Sequence, residues 1–95
     1  MAPPALAAQI ESSADLAFDE ANRRYDQRDY DEARSLALSL LRTRPDSARM
    51  RRIVVSASCI MGELDVAQTH YSHLPERDRA DMRRRCAQYG AAFRE

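Results

Sequence analysis

The 95-residue chain has no tryptophan and no lysine, only two cysteines and two glycines, and an aromatic content of 6%. Each shortage excludes a class of protein. Two cysteines, Cys59 and Cys86, with no CxxC pair encode neither a disulfide-scaffolded mini-protein nor a four-thiolate zinc site. Two glycines cannot build a glycine-rich phosphate loop. Three valines, three isoleucines and two threonines are too few for a sheet. Long apolar runs are also missing: Ala5 to Ala8 and Ile53 to Val55 fall far short of the ~20 residues a membrane span needs. The start, Met1 to Ala8, lacks a basic region and a hydrophobic stretch long enough for a secretory signal, so a cytoplasmic setting is expected. No membrane partner is expected.

What is present favours helix. Alanine, leucine and arginine dominate, and a chain this long buries roughly 65% of its unfolded surface, enough for one small domain without metal or disulfide; no cofactor is expected. Residues 1–12 are expected as an N-terminal extension, partly disordered or lengthening the first helix, and residues 13–95 as the helical domain. Ser12-x-x-Asp15 resembles a capping box ahead of a stripe through Leu16, Ala17, Ala21 and Tyr25, although Pro4 is an alternative start. Asp29-x-x-Glu32 opens a second helix, stopped at Pro45. Asp46 and Ser47 cap a third, ended by Gly62. A short fourth covers about Asp65 to His73. Pro75 introduces a fifth, about Glu76 to Tyr89, with Met82, Cys86 and Tyr89 inward and Gly90 at its end. Short connections predict antiparallel neighbours.

The chain also repeats itself. Gln27-Arg28-Asp29-Tyr30-Asp31-Glu32-Ala33 aligns with Met61-Gly62-Glu63-Leu64-Asp65-Val66-Ala67, placing Ala33 and Ala67 thirty-four residues apart. Ala21, Tyr25, Pro45, Gly62 and Tyr71 extend the match. Ala17 to Leu74 therefore resembles two tetratricopeptide (TPR) repeats, with Pro75 to Gly90 as the opening helix of a third. The pattern departs from the family at Ala17, Ala37 and Arg51, and Pro75 cuts the second unit short. The run Ala57-Ser58-Cys59, Asp65, Ala67, Tyr71, Leu74, Cys86 and Gly90 is also similar to helical tails of some deltaproteobacterial serine/threonine kinases. The resemblance implies an all-α, short α-solenoid of two helix hairpins plus a C-terminal capping helix, about five helices in all. It further implies a bacterial scaffold or adaptor that binds a protein or peptide partner without catalysis.

No nucleophile beside a base and no paired-carboxylate signature marks an enzyme. His70, His73, Cys59 and Cys86 suggest a zinc site, but Ala67, Tyr71 and Leu74 define the buried face of the fourth helix, which leaves both histidines toward solvent; no metal is expected. The resemblance places Cys59 and Cys86 on neighbouring first helices, either as two reduced apolar thiols or as a disulfide that locks the cap.

Charge sums to zero but is unevenly spread. Glu11 to Glu32 holds eight acidic and three basic residues, whereas Ala33 to Gly62 holds six arginines and one acid. These arginines either exchange salt bridges with acidic neighbours or form an electropositive groove. Arginine throughout is a mark of GC-rich coding as well as a recognition residue. The family's concave surface maps onto Phe18, Asn22, Tyr25, Arg49, Arg52 and Ser56, flanked by Asp15 and Cys59, and implies an acidic peptide partner. An alternative is a regulatory appendage docking an acidic or phosphorylated surface through its arginines. A chaperone-tail clamp is not expected, because Phe18 and Ile53 stand where that clamp has Lys and Asn. A pI near 6.7 and sparse aromatics weigh against nucleic acid as a partner. Two and a half repeats is short for a stack, which predicts a tendency to dimerise.

Overall fold

The computed structural model describes residues 4–95, with side chains from residue 15 onward. The fold is all-α, with helices α1 (Pro4–Asp26), α2 (Tyr30–Thr43), α3 (Ala48–Ile60), α4 (Leu64–Tyr71) and α5 (Glu76–Ala87). Residues 1–3 of the expected extension lie outside the described residues. Helix α1 starts at Pro4, a residue suited to the first helical position because it has no N–H to leave unpaired. Ser12 is therefore inside the helix and not its cap.

Burial corrects two expected faces. Leu16 is 70% exposed; from residue 15 onward the buried positions of α1 are Phe18 and Ala21, with Tyr25 partly buried behind them. Leu16 stands two residues from Phe18, about 200° around a helix, so the two cannot share a face. Tyr89 is 43% exposed because α5 ends at Ala87 and the tyrosine falls in the following turn. Residues Met82 and Cys86 do face inward.

The starts and stops follow local chemistry. The Ser47 hydroxyl accepts from the Met50 N–H at 3.2 Å and caps α3. The turns before α2 and α4 have the same hydrogen bonds at corresponding places. Asp29 N–H donates to the Arg24 carbonyl at 2.9 Å, and Glu63 N–H to Ser58 at 2.8 Å. Arg28 N–H donates to Tyr25, and Gly62 N–H to Cys59. Both residues at the turn are left-handed, Arg28 with φ 66° and Gly62 with φ 77°. This is the bonding of a Schellman C-cap. Ala33 and Ala67, the fourth residues of α2 and α4, are both fully buried.

Helix α3 is the hub, packing against α1, α2, α4 and α5. Its residues from Ile53 to Cys59 are all buried, packed on every side by the other helices apart from a sliver of Ile53 and Ser56. Two apolar clusters result. Phe18, Ala21, Ala33, Ala37, Met50, Ile53 and Val54 join α1, α2 and α3, with Leu41 beside them. Val55, Cys59, Ala67, Tyr71, Leu74, Met82 and Cys86 join α3, α4 and α5. The adjacency of α1 to α3 and of α3 to α5 places the odd-numbered helices side by side.

Helix α5 is strongly polar and buries only Met82 and Cys86. Burial of one methionine is worth about 2 kcal/mol, a small anchor for twelve residues. Two further ties hold it. Cys59 and Cys86 form a disulfide with Cα atoms 5.6 Å apart, so of the two arrangements open in the sequence the structure has the bonded one. Arg52 of α3 reaches across to both Asp78 and Asp81.

Candidate functional site

The side-by-side α1, α3 and α5 enclose a groove of about 470 Å³. Its lining includes Asn22, Tyr25, Arg49, Arg52 and Ser56, five of the six residues mapped from sequence. The sixth, Phe18, belongs to the core instead, 9% exposed, with the Arg49 guanidinium 5.6 Å above its ring. It supports Arg49 by a cation–π contact and does not line the groove.

Helix spacing explains the convergence. Asn22 and Tyr25 are three apart on α1, and Arg49, Arg52 and Ser56 follow the three-and-four rhythm of one face of α3. The phenol of Tyr25 and the hydroxyl of Ser56, which is 6% exposed, share a hydrogen bond of 2.5 Å that ties α1 to α3 beneath the groove floor.

Helix α5 supplies a third wall through Asp78, Met82 and Arg85, which sequence reasoning did not assign. Arg52 donates from Nη1 to Asp78 Oδ1 at 2.8 Å and from Nη2 to Asp81 Oδ2 at 2.6 Å. The two carboxylates sit at i and i+3, so one planar guanidinium spans both. Their spacing was a usable signal once α5 was placed beside α3. Arg85 also reaches Asp81, at 3.2 Å.

Of the two arrangements the sequence leaves open for these arginines, the structure has the salt-bridged one. Arg52 and Arg85 already hold carboxylates of α5, and Arg49 holds Asp19 at 2.9 Å. Elsewhere on the arginine-rich segment Arg34 pairs with Glu63 and Asp31, and Arg51 donates to the Pro45 carbonyl. Asp26 adds another carboxylate to the lining. The groove is a lattice of balanced charges and not an open cationic patch. Its members differ in how readily they exchange: Asp19 is 69% exposed and its pair with Arg49 lies at the rim, whereas Asp78 is 15% exposed. Exposed pairs are worth little and swap partners at low cost.

His73 is exposed, as expected, but His70 is half-buried and corrected accordingly. Burial first, then the nearby Arg51 and His73, lowers the pKa of its imidazole, so the neutral ring accepts from Arg51 at Nδ1, 3.2 Å away. Among the described residues no group of three or more His, Cys, Asp or Glu side chains is placed to hold a metal ion. No described helix is long and apolar enough to cross a membrane.

Comparison with family models, with curated proteins and with solved structures gave no match to this chain.

Proposed function

We propose that the protein is a non-catalytic interaction module, a TPR-like scaffold that receives an extended peptide in the groove between α1, α3 and α5. The observation that carries the reading is the convergence of Asn22, Tyr25, Arg49, Arg52 and Ser56 on one groove. The corresponding turns at Arg28 and Gly62 support the repeat reading behind it. Arg49 is the anchor. A carboxylate on the partner replaces the exposed Asp19 on its guanidinium, Asn22 of the lining binds peptide backbone, and Arg52 offers a second cationic contact for which Asp78 competes. The wall is ordered beforehand, so ordering costs fall mainly on the incoming peptide.

Affinity capture from the native lysate, with a photo-crosslinking residue in place of Asp26 at the groove wall, tests this with Arg49 intact and in Arg49→Glu. The protein with Arg49 intact should yield a crosslinked partner that the variant loses, with recovery falling as salt rises. Equal recovery by both proteins rejects the groove.

A cytoplasmic setting accompanies reduced thiols, and an oxidising compartment the Cys59–Cys86 bond. Thiol titration of protein alkylated on extraction from its source decides between them.

A further inference from the structure

Beyond Gly90 the chain leaves helix and lies across the faces of α4 and α5. Gly90 is left-handed, φ 85°, and the Ala91 N–H returns to the Cys86 carbonyl at 3.2 Å, which turns the following residues back over the molecule. Three kinds of contact then hold residues 91–95. The Gln68 side-chain amide grips the backbone of Arg94 from both sides, its Nε2 donating to the Arg94 carbonyl at 2.9 Å and its Oε1 accepting the Arg94 N–H at 2.8 Å. The Phe93 ring stacks on Tyr71, centroids 4.1 Å apart and planes 11° from parallel. The Glu95 carboxylate accepts from the Tyr71 hydroxyl and from Arg83 at 3.2 Å, with Arg79 3.5 Å away.

Together these are the elements of peptide recognition: a bidentate reading of extended backbone, an aromatic seat and a carboxylate clamp. None depends on the segment being helical or on the side chain of Arg94. The receiving residues are themselves held: Arg83 donates to the Tyr71 hydroxyl at 2.8 Å and also pairs with Glu76, while Tyr71 stands fully buried beneath the segment. The occupant is hinged at a left-handed glycine, Gly90. One aromatic stack and a few exposed polar contacts are each weak, so a tethered segment of this kind exchanges with a competing peptide.

We propose that the α4–α5 face built on Gln68, Tyr71, Arg79 and Arg83 is a second recognition site. It reads an extended segment with a phenylalanine two residues before an acidic residue, and residues 91–95 are its resident, displaceable occupant. The site is independent of the groove between α1, α3 and α5. Its partner is a protein that carries the same Phe-x-acid pattern in an exposed, unstructured stretch.

The test uses isotope-labelled full chains and an end-capped Ala-Ala-Phe-Arg-Glu peptide, followed by NMR at the Gln68 side-chain amide. In Phe93→Ala, which vacates the aromatic seat, the peptide should shift that amide saturably, with half-saturation near or below about a millimolar, the effective concentration of a short tether. The wild type should need at least tenfold more peptide, and Ala-Ala-Ala-Arg-Glu should produce no shift in either. Glu95→Ala, which leaves the stacked ring in place, provides a second opened form and should fall between the two. No shift in either variant while their spectra keep wild-type dispersion overturns the proposal. Equal response of the wild type and Phe93→Ala does so as well.

Discussion

Arg28 and Gly62 stand thirty-four residues apart and occupy the same left-handed backbone region, φ 66° and 77°, in turns with matching hydrogen bonds. One of them has a side chain and the other does not. A left-handed conformation costs an ordinary residue about 1–2 kcal/mol, whereas glycine gives up about 0.5–1 kcal/mol of unfolded-state entropy. Arg28→Gly should therefore stabilise the protein by about 0.5 kcal/mol. Gly62→Ala should destabilise it by about 1 kcal/mol through backbone conformation alone, because no atom lies within 4 Å of the added Cβ. Urea unfolding measures both, and a large loss in Arg28→Gly would refute the matched-turn account.

The disulfide supplies much of what keeps α5 in place. It closes a loop with a sequence separation of 27, for which chain-entropy arguments give about 3–4 kcal/mol of stabilisation. Reduction should lower stability by about that much. In hydrogen exchange, the amides of α5 should lose protection before those of α2. Uniform loss across all helices would show that the bond serves the whole fold and not this one element.

Asp78 competes with any external carboxylate for Arg52. Replacing it, Asp78→Asn, removes one arm of the fork and leaves Asp81 holding the other. The expected outcome is a modest stability loss, about 1 kcal/mol, with tighter capture of an acidic partner by the groove. Unchanged capture would mean that Arg52 serves only to dock α5.

Alkaline pH should weaken the α4–α5 face. Burial, reinforced by the hydrogen bond to Glu95 and opposed by Arg83, raises the pKa of the Tyr71 phenol above its ordinary value of 10. A raised folded-state pKa favours the protonated form. The corresponding stability is complete below pH 10 and is lost as pH climbs through the folded value. Absorbance titration should show a tyrosine ionising above pH 10 that is lost in Tyr71→Phe, and Glu95→Gln should lower the pH at which it ionises.

Much of this architecture was legible because its signals are local. Ser47 as cap, Pro45 and Pro75 as breaks, and Gly62 and Gly90 as stops are chemical requirements of single turns. Tyr89 falls two residues past the end of α5, and helical periodicity does not show where a helix stops. The fork from Arg52 to Asp78 and Asp81 joins residues 26 and 29 positions apart, a pairing that follows only once α5 lies beside α3. Phe93 and its neighbours lack periodicity altogether. Their role comes from Gln68 and Tyr71, far back in the chain, and no local pattern announces it.

Ser56 and Cys59 are a single turn apart on α3, the first holding the Tyr25 phenol of α1 and the second the sulfur of α5. Sliding α3 along its axis would break both attachments at once. A ligand lying across these three helices thus meets a stiff plate and not a closing jaw, and must bring its own adaptability to the encounter.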